Sequence, residues 1–196
     1  YEMSYTNILE MLDLGRITLY GRDRGEEEPI VVAGGPCAYN PEPLAPFFDA
    51  FMIGDGEEVI IQLCQVIRDG RKEKLPRREI LRRLAGLEGV YVPSLYDASY
   101  HEDGTLAAFV PNDAAAPAVV RRCVVPDLNG ADYPDTIPVP YTDVVFDRIV
   151  LEIMRGCTRG CRFCQAGMLY RPVRERSMDR LLELADKLEA ATGYEE

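Results

Sequence analysis

Apolar positions along the first ninety-odd residues fall alternately into helical stripes and short unbroken runs. TNILEMLDL places Ile8, Leu9, Met11, Leu12 and Leu14 at helical spacing, with Ser4, Thr6 or Asn7 available as the cap. PIVVAGG is a continuous run that predicts a strand over Pro29–Ala33, ended by Gly34-Gly35-Pro36. NPEPLAPFF predicts a short helix opened by proline. DAFMIGDGEE repeats the scheme, with a strand over Ala50–Ile53, a glycine turn, and a helix from Glu57 to Arg68 that stops at Gly70. A further helix over Arg77–Leu84 precedes a strand in GVYVPSLY. Unbroken apolar strands separated by helices predict a parallel sheet covered on both faces, hence an α/β fold.

The texture changes between Asp97 and Asp147, where helical periodicity gives way to prolines, alanines and Asp-Gly or Asn-Gly pairs. SYHEDGTLAAFV predicts a β-hairpin turning at Glu102-Asp103-Gly104. PNDAAAPA and PDLNGADYPDTIPVPY predict extended connections. A third section opens with RIVLEIM, a predicted strand over Arg148–Met154, and passes through a loop into a helix capped by Ser177. Leu181, Leu182, Leu184, Ala185, Leu188 and Ala191 form its apolar stripe, and Gly193 closes it. The expected division is therefore 1–96, 97–147 and 148–196, with the last loop at the C-terminal end of a strand, where parallel α/β architectures place their chemistry. A first residue other than Met and an ending just past a helix are expected of a piece of a longer protein.

The chain of 196 residues carries a net charge of −11, which argues against general nucleic-acid binding. No apolar run approaches the roughly 20 residues that span a bilayer. Six cysteines do not make a secreted disulfide scaffold here, because Cys37, Cys64 and Cys123 are scattered singly. They are expected to fill core positions in a protein of the reducing cytoplasm.

The other three cysteines lie together in RGCTRGCRFCQAG, spaced Cys157-x3-Cys161-x2-Cys164. Structural zinc takes four ligands, and the nearest spare ones, His101 and Cys123, are far upstream. A ferredoxin-type cluster brings a fourth cysteine, and none follows Cys164. Three thiolates suit three corners of a [4Fe–4S] cube whose fourth iron stays open to a small molecule. A non-catalytic zinc or electron-transfer module is the alternative. Arg155, Arg159, Arg162, Arg171, Arg174 and Arg176 surround the motif. They could stabilise a reduced cluster as its neighbours, meet an anionic substrate, or form a solvated basic face. Glu152 is expected either in a barrel lumen or on a wet strand edge.

The cysteine spacing, with Phe163 immediately before the third cysteine, resembles the radical S-adenosylmethionine (radical SAM) signature. The resemblance implies that Cys157, Cys161 and Cys164 bind a [4Fe–4S] cluster, that Phe163 lies beside the adenine of S-adenosylmethionine, and that reductive cleavage of this cofactor starts radical chemistry on substrate. It further implies that the third section is the first βα unit of a partial TIM barrel, and that a reductant such as flavodoxin or ferredoxin is a partner.

The order Gly-Gly-Pro strand, Pro-Glu helix, GDGEE strand and cysteine-triplet strand is similar to radical SAM proteins with an N-terminal cobalamin-binding domain. Within them it resembles an uncharacterised family in which SYTN, GGPCAYNPEPLAPFFDAF, RGCTRGCRFCQAG and YRPVRERS recur. That likeness implies a Rossmann-like sheet in which Gly34, Gly35, Gly54, Asp55 and Gly56 form the cobalamin-side turns, with cobalamin in the longer parent protein and a further C-terminal domain. The motif Asp-x-His-x-x-Gly is absent, and the sole histidine, His101, lies in SYHEDG. Residues gripping the methionine moiety are expected after Glu196. Substrate and reaction subtype are not written in this stretch.

Overall fold

A computed structural model describes residues 1–142 and 144–194. The chain forms two compact units, Tyr1–Val124 and Val125–Glu196. The first contains α1 (Tyr5–Leu14), β1 (Val32–Ala33), β2 (Ala50–Met52), α2 (Val59–Lys72), α3 (Arg77–Ala85), β3 (Val90–Tyr91), β4 (Tyr96–Tyr100) and β5 (Leu106–Pro111), with 3-10 turns at Pro36–Tyr39 and Glu42–Phe47. The second contains β6 (Met154–Arg155), α4 (Ala166–Leu169), β7 (Arg174–Glu175) and α5 (Met178–Thr192).

In the first unit β1 pairs parallel to β2, pairing Val32 with Ala50, but β3 joins the other edge of β2 antiparallel, pairing Phe51 with Tyr91. The sheet is thus mixed rather than parallel throughout, and its strands are two or three residues long. Alternation along them divides the core between the two faces. Ala50 and Val90 face Leu63, Leu81 and Leu84 of the helices, whereas Phe51 and Tyr91 face Ala38 and Leu44 of the 3-10 segments and Phe48 just beyond them. The expected coverage of both faces is present. The hairpin β4–β5 forms around Gly104, whose positive φ of 83° suits the turn, and Tyr96 and Phe109 stack with planes 3° apart.

Two glycines act differently from their expected punctuation. Helix α2 runs through Gly70 instead of stopping there. A Cβ at this position would stand 2.7 Å from Cγ1 of Ile80, so Gly70 lets α2 and α3 approach each other closely. Gly54, at φ 107°, meets Cys123 backbone to backbone: a Cβ would lie 2.1 Å from the Cys123 carbonyl oxygen. Cys64, expected in the core, is exposed on α2.

The polar centre of this unit was not expected. Asp49 Oδ2 accepts hydrogen bonds from Arg24 Nη1 at 2.8 Å, Arg77 Nη2 at 2.7 Å and Val31 N at 2.7 Å. The Arg24 and Asp49 side chains are 0% and 3% exposed. Arg24 also donates to the carbonyls of Thr18, Leu19 and Phe47, and Arg77 to those of Glu28 and Pro29. Together these bonds gather the segment ahead of β1, the approach to β2 and the start of α3.

Removing the carboxylate leaves two buried guanidiniums uncompensated. Asp49→Ala is expected to lower the unfolding free energy by about 3–5 kcal/mol. Arg22→Ala, at a side chain 79% exposed, should change it by less than about 0.5 kcal/mol. Urea denaturation compares the two, and similar small effects would contradict the central role of Asp49.

Candidate metal centre

The second unit carries the cysteines on one loop between β6 and β7. The predicted strand over Arg148–Met154 is reduced to Met154–Arg155. Side chains satisfy much of the backbone before it, with one backbone bond from the residue just past β7. Tyr133 Oη donates to the Val150 carbonyl at 2.8 Å and accepts from Glu152 N at 3.3 Å. Arg176 Nε donates to the Glu152 carbonyl at 3.1 Å, and Arg176 N donates to the Ile153 carbonyl at 2.9 Å. After the loop, Ser177 caps α5 by accepting from Arg180 N, and Gly193 ends the helix at φ 73°. Leu184 and Leu188 of the predicted stripe are buried, while Leu182 is exposed.

The loop leaves β6 at Gly156, whose φ is 90°. A Cβ there would stand 2.8 Å from the carbonyl oxygens of both Tyr170 and Pro172, so the outgoing and returning chains touch at this glycine. Gly160, at φ 66°, supplies a second left-handed turn. Cys157 and Cys164 are half-buried and Cys161 is exposed. Arg159 N donates to Cys157 Sγ at 3.5 Å, and Cys164 N donates to the Cys161 carbonyl at 3.1 Å. Phe163 is 92% exposed. Among the described residues, no group of three or more His, Cys, Asp or Glu side chains is gathered to hold a metal ion. The donor set itself, three free thiols on a single glycine-hinged loop, fits a thiolate-ligated cluster.

The surrounding arginines separate into distinct roles. Arg155 forks onto Glu152, with Nε 2.7 Å from Oε1 and Nη2 3.0 Å from Oε2. Arg176 Nη2 reaches Glu152 Oε2 at 3.3 Å, its Nη1 donates to the Leu128 carbonyl, and its guanidinium lies 4.9 Å from the Tyr133 ring centroid. Arg174 is buried and donates to the carbonyls of Val125, Pro172 and Tyr170. Neither Arg174 nor Arg176 belongs to a solvated basic face. Arg159 and Arg162 are exposed on the cysteine loop itself. Glu152, expected in a lumen or on a wet edge, is instead the acceptor shared by Arg155 and Arg176. Its role had no signal beyond its place within an apolar run.

The turns of the first unit are also accounted for. Asp55 N donates to the Cys123 carbonyl at 3.0 Å, and Gly54 bridges to Cys123. Gly34 approaches Met52, while Gly35 and Gly56 stand open. The Cys123 backbone occupies one side of the Gly54–Asp55 turn, so these two residues do not fit a corrinoid platform on that side. An open cavity of about 870 Å³ in this unit is lined by Arg24, Asp49, Arg77, Tyr91 and Phe109 among others, and by none of the five turn residues. Cys123 donates its thiol to the Glu88 carbonyl at 2.9 Å. Burial, reinforced by the carboxylates of Glu88, Asp55 and Glu58, pushes that thiol up to about 11. His101 lies in the exposed hairpin turn.

Residues 1–93 match the family model described as radical SAM proteins, N-terminal. The match covers 93 of the 196 residues and makes that portion similar to the N-terminal region of radical SAM proteins. The chain is similar to the uncharacterized protein MJ0966 of Methanocaldococcus jannaschii, at 30% identity over 190 residues, covering 95% of this chain and 33% of that protein. It therefore spans about a third of the length of the curated relative it matches. No solved structure matches it. No described helix is long and apolar enough to cross a membrane.

The Glu152 network carries a pH dependence. Hydrogen bonding from Arg155, outweighing the opposing effect of burial, holds the Glu152 carboxyl below its ordinary value of 4.5, and Arg176 adds to the effect. A depressed folded-state pKa gives stability that is complete above 4.5 and lost as pH falls through the lower folded value. Thermal unfolding between neutral pH and pH of about 3 should therefore fall more steeply for the unaltered chain than for Glu152→Gln. Parallel curves for the two would contradict this coupling.

Proposed function

We propose that this chain is the portion of a radical SAM enzyme that binds a [4Fe–4S] cluster through Cys157, Cys161 and Cys164, leaving one iron to S-adenosylmethionine. The observation that carries the reading is the set of three free cysteines on one glycine-hinged loop, in a chain whose first 93 residues match the radical SAM N-terminal model. When bound, the cluster supplies the electron that cleaves S-adenosylmethionine and starts radical chemistry.

The chain's own residues prepare the site. Gly156 and Gly160 turn the backbone so that thiols from three positions of a short loop can converge. Arg159 and Arg162 place permanent positive charge on that loop, which favours an anionic thiolate-ligated cluster. Cys123 is unsuited to serve as a fourth ligand in its present setting, since burial and neighbouring carboxylates keep its sulfur protonated and its thiol is bonded to Glu88. Phe163, unpacked on the loop, is assigned to the adenine side of the bound S-adenosylmethionine. The substrate belongs to the whole protein, with a flavodoxin- or ferredoxin-like reductant as partner. No step is assigned to cobalamin.

Anaerobic reconstitution tests the assignment. The unaltered chain should take up about four irons, with a reduced-cluster EPR signal that changes on adding S-adenosylmethionine. Cys157→Ser, Cys161→Ser and Cys164→Ser should each lose this uptake, whereas Cys37→Ser, Cys64→Ser and Cys123→Ser should keep it. Stoichiometric zinc binding without iron uptake would instead identify a non-catalytic metal module.

A further inference from the structure

We propose that Glu152 is a positioning residue for the cysteine loop, fixing the stem from which Cys157 emerges. This rests on the cluster-binding reading above and adds to it a residue that is not itself a ligand. Glu152 stands five positions before Cys157, and Arg155, which it grips, is the last residue before the hinge at Gly156.

Tyr133 and Arg176 bond the backbone ahead of the stem, but at its end the strand pairing is slight. Its ladder is two residue pairs long, Met154 with Glu175 and Arg155 with Arg174. Ladders this short are marginal without further support. Glu152 provides that support by joining two cations of different standing. Arg176 is a fixed pillar: its side chain is 0% exposed and is bonded to Leu128 and stacked on Tyr133. Arg155 belongs to the stem itself, and the Glu152 carboxylate takes it in a two-pronged, charge-assisted grip. The carboxylate thereby transfers the rigidity of the pillar to the residue that aims the loop. Gly156 leaves no room for a side chain, because a Cβ there would stand 2.8 Å from the carbonyl oxygens of Tyr170 and Pro172. A displaced Arg155 would swing Gly156 and carry Cys157 with it. Loss of the carboxylate would also leave Arg176 as a buried cation without its anion, and the stem would have to open to hydrate it.

The test is the rate at which iron is released to a chelator from the anaerobically reconstituted whole chain, read beside its melting temperature. Glu152→Ala is expected to release iron about 10–100-fold faster than the unaltered protein. Glu152→Gln, which keeps the shape and can still accept from one arginine, should fall between them. Leu188→Ala, at a fully buried position of α5, serves as a control that lowers stability through the core and should release iron at the unaltered rate. An unaltered rate in Glu152→Ala overturns the proposal, as does equally fast release from Leu188→Ala at a comparable melting temperature. If the unaltered chain takes up no iron, the cluster reading itself fails and the proposal falls with it, a result distinct from either of the others.

Discussion

One carboxylate, that of Asp49, organises the first unit by accepting from Arg24, Arg77 and the backbone of Val31. The strands it serves are too short to assemble by their own ladders. The two guanidiniums extend its reach to carbonyls at Thr18, Leu19, Glu28, Pro29 and Phe47, drawing together segments distant in sequence. Arginine suits this work because its planar fork carries several donors and keeps its charge when buried. Desolvating three charges is expensive, so the triad adds less net stability than its close hydrogen bonds suggest. The second unit uses a related device, in which Arg174 and Arg176 donate to loop carbonyls that no strand pairs with.

Features carried by periodicity or by local turn chemistry were legible in the sequence. The Ser177 cap, the Gly193 stop, the hairpin around Gly104 and the helix over Arg77–Leu84 all follow from interactions within a few residues. Features that depend on distant partners were not legible. Gly70 reads as a helix stop until Ile80 is seen against it, and Gly54 reads as a ligand turn until Cys123 crosses it. RIVLEIM has the composition of a strand, but Tyr133 and Arg176 claim its hydrogen-bonding groups. Asp49, Arg24 and Arg77 carry no mark of burial, since charged residues are ordinarily exposed and only their mutual pairing makes burial tolerable.

The cysteine spacing of the candidate site is a local property, read directly from the sequence. What the sequence could not assign was the charge around it. Six arginines near one motif suggest a uniformly basic setting, yet two of them, Arg155 and Arg176, are compensated by Glu152 and a third, Arg174, is spent on backbone. Of the other three, Arg159 and Arg162 stand exposed on the loop itself and Arg171 reaches toward Gly160, within a chain of net charge −11. Local positive charge on an acidic body distinguishes the place where an anionic group is welcome from the surface at large.

The contact of the two chain directions at Gly156 separates the cysteine loop from the body that bears it. Polypeptide departs and returns at one point, so the closure entropy of this excursion depends only weakly on its length, at about 0.6 kcal/mol per doubling. Changes in the length of this excursion therefore cost little in closure entropy, provided that the hinge stays a glycine. The frame thus asks little of the loop's length, and what the loop must keep is its three thiols and the glycine at its neck.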